Sequence, residues 1–133
     1  MAQQFQADAV VTSAAVNVPT TTETVIVTGN PLTPPYGSFK AKVEANVLLT
    51  VGTSTTTITL KLKRNTTAEN VTINSVQNIT TIAGNTVQVS VNAVDQVNDG
   101  RQVQYALTIT QNGATANGSA LAGAYIETTL LSG

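Results

Sequence analysis

SFKAKVEANVLLTVG, residues Ser38 to Gly52, sorts its side chains by parity. Val43, Ala45, Val47, Leu49 and Val51 fall on one parity; Lys42, Glu44, Asn46 and Thr50 fall on the other. Successive side chains of a strand point to opposite faces, so this stretch has one apolar face and one wet face. A helix would scatter the same residues around its circumference. The stretch therefore predicts a long strand at the centre of an all-β core.

Other runs repeat the pattern. ETVIVT, from Glu23, is a short β-branched strand that GNPLTPPYG breaks, since Pro31, Pro34 and Pro35 cannot join a sheet ladder. In Thr55 to Arg64, Ile58, Leu60 and Leu62 turn inward and Thr57, Thr59, Lys61 and Lys63 outward. The short GTST link predicts a hairpin between this strand and the long one. Val71 to Gln77 and Ile79 to Ile82 read as two less regular strands. Thr86 to Val94 places Val87, Val89 and Val91 on one face. Asn98-Asp99-Gly100 predicts a hairpin into Gln102 to Thr110, where Val103, Tyr105, Leu107 and Ile109 point inward. Leu121 to Leu131 closes the chain. About eight strands with turn signals every 8–12 residues predict a single antiparallel β-sandwich. The Cys…Trp…Cys pattern of immunoglobulin domains is absent, and the long strands and loops favour a jelly roll.

Residues 1–22 read as an extended N-terminal arm, and 23–133 as the jelly-roll domain. Pro19 bars a central strand there. The stretch reads either as a frayed terminus or as an arm that pairs with a neighbouring subunit, the second because Ala14, Ala15, Val16 and Val18 are too apolar for a freely solvated tail.

The chain has 133 residues, enough for one domain with its own core. Charged residues are only 10% of it, against about a quarter in ordinary domains. Thr, Asn, Gln and Ser carry its solubility instead. Net charge is −1 with no basic block, which argues against nucleic acid as a partner. Lys61, Lys63 and Arg64, with Lys40 and Lys42 upstream, read as a solvated or interface surface. The residues after Met1 lack a basic n-region and an apolar h-region, and no apolar run approaches the ~20 residues that span a bilayer. Synthesis and folding in the cytoplasm, with no membrane partner, is the expectation.

Histidine and cysteine are both absent, which removes the usual nucleophile–base pairs and the commonest metal ligands. The 7 carboxylates could in principle hydrolyse a glycoside, but the chain has only 3 Tyr, 2 Phe and no Trp to make a sugar platform. Asp95 to Gly100, DQVNDG, fails as a calcium loop at Val97 and Ala106 and fits a turn better. The Asn-X-Thr/Ser triplets at Asn65, Asn70, Asn78 and Asn117 follow from the abundance of Asn and Thr. No enzyme, cofactor, metal or small-molecule substrate is expected.

Two features point to assembly. Some strands carry apolar residues on both parities, as at Leu48 beside Leu49 and at Leu130 and Leu131. The wet faces also favour Thr, Asn and Gln over Lys and Glu. The candidate interface residues are Val10, Val16, Val18, Tyr36, Leu48, Leu130 and Leu131.

Three blocks, ETVIVTGNPLTPPYGSFKAKVEANVLLTVG, TTTITLKLKR and VQYALTITQNGATANGSALAGAYIETTLLSG, resemble the small jelly-roll head decoration (cement) proteins of tailed bacteriophages. The last block is similar to the closing strands of trimeric jelly rolls of the tumour-necrosis-factor and complement type. The resemblance spans roughly Thr22 to Gly133. It implies a homotrimer on the outer surface of the virion, clamping subunits of the major capsid protein, with the arm adding as a strand. Two alternatives stand beside it. One is a fibre tip or receptor-binding head using the Gly29 to Gly37 loop and Tyr36. The other is a small icosahedral capsid protein, which lacks the basic arm expected for genome packing.

Overall fold

A computed structural model describes residues 5–18, 23–33, 39–51, 56–65, 70–82, 84–97, 102–111 and 118–132. All regular structure among them is β. The strands are β1 (Phe5–Val11), β2 (Val16–Val18), β3 (Thr24–Thr28), β4 (Phe39–Val51), β5 (Thr56–Asn65), β6 (Asn70–Thr81), β7 (Thr86–Val97), β8 (Gln104–Gln111), β9 (Gly118–Ala120) and β10 (Tyr125–Ser132).

The stretch that opened the sequence reading is β4, the axis of the larger sheet. One side of it pairs with β7 from Phe39↔Val97 to Thr50↔Thr86. Its other side pairs first with β10, as in Val43↔Thr128, and then with β9, as in Thr50↔Ser119. β10 and β9 thus form one interrupted lane. β1 lies outside β10 and β2 outside β9, making a second interrupted lane. The smaller sheet runs β3-β8-β5-β6. Eight lanes result: β1/β2, β3, β4, β5, β6, β7, β8 and β9/β10. Numbered in chain order, they read 1-8-3-6 in one sheet and 2-7-4-5 in the other. This interleaving of two Greek keys is a jelly roll.

The interior follows the parities. Ala41, Val43, Ala45, Val47 and Leu49 of β4 are buried against Ile58, Leu60 and Leu62 of β5 and Val103, Leu107 and Ile109 in and before β8. β3 departs from strict alternation because the register slips between Val25 and Val27. The extra residue lets consecutive Ile26 and Val27 both enter the core, as a bulge does. The β9/β10 lane breaks at Gly123, whose φ of +95° is a left-handed conformation that a Cβ disfavours.

Three expectations are corrected. The arm is not an arm over its described part, because β1 pairs along its whole length with β10 and β2 with β9. The expected boundary at residue 22 therefore does not separate these strands from the sandwich. Pro19 lies outside the described residues. The two predicted hairpins, β4 with β5 and β7 with β8, do not form. In each case the two strands lie in opposite sheets. Parity tells which face is buried and not which sheet a strand joins, and a short link can cross a sandwich about 10 Å thick. Val71 to Gln77 and Ile79 to Ile82, read as two strands, fall in the single strand β6 except for Ile82, and β6 pairs with β5 through two register slips.

Candidate interaction surface

Two polar braces cross the interior and hold the faces in place. At one end, Arg64 of β5 and Tyr105 of β8 are register partners in the small sheet, and Asp95 of β7 faces them from the large one. Arg64 Nη1 donates to both Asp95 carboxylate oxygens at 2.8 Å, and the Tyr105 hydroxyl donates to Oδ2 at 2.8 Å. Burial first, then the hydrogen bond to Asp95, pushes the Tyr105 phenol well above its ordinary range. At the other end, the buried Gln111 amide donates to the Val18 carbonyl at 2.7 Å, tying β8 to β2. These groups join the sheets and present nothing to solvent chemistry. Among the described residues no group of three or more carboxylates gathers as a metal site.

The outward side of the small sheet is partly covered by its own side chains, while Val25 of β3, the register partner of Thr108, stays 53% exposed. Glu23 accepts from Lys63 Nζ at 2.7 Å and from the Thr108 hydroxyl at 2.9 Å. The Lys63 bond holds its carboxyl below the usual Glu value. Ala106 and Thr108, which face outward from β8, are buried beneath this layer.

The outward side of the large sheet is open. Across it the register aligns Ala9, Glu127, Glu44 and Asn92 in one row, and Val11, Tyr125, Asn46 and Ser90 in the next. Its described charges, Lys40, Lys42, Glu44 and Glu127, all lie on one half. Lys42 and Glu44 pair at 3.2 Å. The other half, from Asn46 to Thr50 with Gln88, Ser90 and Tyr125 alongside, carries none. Leu48 is 40% exposed in this half, while Val11 and Val94, on opposite edges of the face, are 63% and 69% exposed.

The candidate interface residues separate on these grounds. Leu48 lies on the open face. Val18 and Leu130 do not reach a surface, because both are buried in the chain's own core, and that expectation is corrected. Val10 and Val16 are half-buried and pack against the same core from the edge lane. Leu131 stands in β10 opposite Phe5 and Lys40. Tyr36 lies outside the described residues. Sequence reasoning missed Val11 and Val94, which share the outward parity of their strands and could have been found there. It also grouped Arg64 with the outward lysines, although Arg64 has the parity of Leu62 and Asp95 that of Val91.

The lane order defines the class: a two-sheet jelly roll, with one outward face partly covered by its own ion pair and the other more open. No protein-family model matches the chain, and no curated protein matches it in sequence. Its fold is similar to part of a chain in the structure of infectious bursal disease virus, Gx strain, with a TM-score of 0.66, 6% identity, and coverage of 98% of this chain and 33% of that one. The Gt strain gives 0.52, 8%, 97% and 35%. Eiger TNF from S. frugiperda gives 0.62, 14%, 96% and 93%. The chain thus spans about a third of the viral chains and nearly all of the TNF chain. At these identities the likeness is one of fold.

Proposed function

We propose that this chain is a structural component of a virus particle that acts by binding alone, and more finely that it decorates the outer surface of a capsid as a cement protein. The observation that carries the reading is the large sheet's outward face. It is sparsely charged and exposes Leu48, Val11 and Val94, whereas Glu23, Lys63 and Thr108 cover part of the opposite face, on which Val25 stays exposed. A face rich in Asn, Gln, Ser and Thr, with Leu48 and Val94 exposed, suits docking on another protein's surface. The fold likeness to chains of a virus supports the same class of role. The working partner is the major capsid protein, and stabilisation follows from mass action. A ligand that binds only the closed shell adds roughly 2.7 kcal/mol per site at a hundred times its Kd.

The test mixes the purified chain with mature capsids of the virus that encodes it. Cosedimentation and a raised disruption temperature of the capsid are expected, and Leu48→Lys should weaken both. Capsids that neither bind the chain nor gain stability would remove the reading.

A further inference from the structure

We propose that β1 is a detachable strap. It opens from β10 as a unit, pivoting at Thr12, while the rest of the sandwich stays folded, and a clasp between Asp8 and Asn30 sets how often it does so. This inference does not rest on the capsid reading. It comes from comparing how the two strands of the edge lane are fastened.

A strand is secured by the apolar surface it buries, by the ladders on its two sides and by side-chain ties to other elements. β1 is thinly supplied with all three. Of its described side chains, Ala7, Ala9 and Val11 are exposed, and Asp8 and Val10, on the inward parity, are only half-buried. Their register partners in β10, Thr128 and Ile126, are buried. Among the described residues the β1 ladder runs to β10 alone. The side-chain tie is Asp8, whose carboxylate accepts from the Asn30 main-chain N–H at 3.1 Å and from the Asn30 side-chain amide at 3.0 Å. Both bonds are open to solvent, where water competes for the same groups. The other side of the clasp is firm. Gly29, just before Asn30, donates its N–H to the Tyr105 carbonyl at 2.8 Å and accepts from the Gln104 amide at 2.9 Å. The clasp thus joins a lightly held strand of the large sheet to a well-held loop leaving β3 of the small one.

β2, the next strand in the lane, is fastened differently. Its Val18 side chain is buried in the core, and the Val18 carbonyl accepts from the buried Gln111 amide at 2.7 Å. Between the two strands, the Thr12 N–H donates to the Ala124 carbonyl at 2.8 Å and the Thr12 carbonyl accepts from the Gly123 N–H at 3.0 Å. These bonds pin the chain where firm holding begins, so β1 can swing about Thr12 without drawing β2 after it. Opening frees the edge of β10 that β1 covers. It uncovers little apolar surface, because Val10 is the one apolar residue among the described inward side chains of β1.

The test is native-state hydrogen exchange of the full chain, followed by nuclear magnetic resonance under conditions where exchange reports the opening equilibrium. The amides that bond β1 to β10 are expected to be protected at least about a hundredfold less than the bonded amides of β4, β5 and β8. Their exchange should depend only weakly on urea, because the opening exposes little surface. Asp8→Ala should speed β1 exchange roughly threefold or more. It favours the opened and the unfolded chain alike, so core amides should speed by the same factor. Tyr105→Phe weakens a brace that the opened chain keeps. It should speed the core amides roughly tenfold or more and leave the β1 amides unchanged. Ile58→Val, in the core of β5, repeats that arm with a smaller factor if Tyr105→Phe fails to fold. The proposal is overturned if wild-type β1 amides share the protection and urea dependence of the core. It is equally overturned if Asp8→Ala leaves them unmoved, or if Tyr105→Phe speeds them as much as it speeds the core.

Discussion

The outward faces of the two sheets are built from the same kinds of residue and end in different states. On the small sheet, Glu23, Lys63 and Thr108 satisfy one another and bury Ala106 beneath them, leaving Val25 exposed beside them. On the large sheet, Lys42 and Glu44 pair while remaining largely in solvent, and Leu48, Val11 and Val94 have no cover. Composition alone does not separate a finished surface from an open one. Polar groups of neighbouring strands meet on both, as where the Asn46 amide donates to the Ser90 hydroxyl at 3.1 Å on the large sheet, and what differs is a side chain that spans more than one strand. In the small sheet the residue before β3 reaches across β8 to β5; on the large sheet no such reach is present among the described residues.

Both outward faces depend on the two sheets being held together, and the interior brace carries the largest expected effect. Asp95→Ala leaves the Arg64 guanidinium buried without its carboxylate and the Tyr105 hydroxyl without its acceptor. A loss of ~3–5 kcal/mol in denaturant unfolding is expected. Tyr105→Phe removes one hydrogen bond to a charged group and should cost about 1.5–3 kcal/mol. The raised phenol adds a sign. Its contribution is whole below the ordinary Tyr value of about 10 and falls as pH rises above it, because the unfolded chain ionises first. Tyr105→Phe should therefore flatten part of the alkaline limb of the stability profile.

That brace also shows what the sequence could yield. Arg64 follows Leu62 on an inward parity, and Asp95 follows Val91 on another. Opposite charges on two apolar faces announce a buried pair, and parity alone suffices to find it. Strand positions and buried faces in β4, β5, β7 and β8 follow from the same rule. Sheet membership does not, because alternation is identical whichever sheet a strand joins. Thus β4 and β5 read as a hairpin and lie in opposite sheets. The β1/β2 lane was hidden for a related reason. Its small residues alternate weakly, and its partner, β9/β10, lies at the far end of the chain. The open face was half visible: Leu48 is apolar on a wet parity, but whether another side chain covers such a residue depends on partners distant in sequence.

Acid sharpens the contrast between the faces. The Glu23 carboxyl is held below its ordinary value, chiefly by the Lys63 hydrogen bond. A depressed carboxylate contributes stability that is fully present above the unfolded value near 4.5 and is lost as pH falls through the folded one. Glu23→Gln should therefore be less stable than wild type at neutral pH, and the gap should close below about pH 4. A gap independent of pH would mean that the cover works through packing and not through the Glu23 charge.

The smallest effect on stability falls on the open face, and there its smallness is the informative result. Val94→Lys replaces a side chain that is 69% exposed on β7, with Lys42 as its register partner on β4. A surface change without a buried partner should alter unfolding free energy by no more than about 0.5 kcal/mol. The added cation also stands opposite Lys42, and like charges across a strand pair are unfavourable by a few tenths of a kcal/mol. Val94→Glu reverses that sign and should be slightly the more stable of the two, with the difference shrinking in high salt. If both variants instead lost as much as a core truncation, Val94 would be covered in the folded protein, and the large sheet's outward face would not be open at that edge.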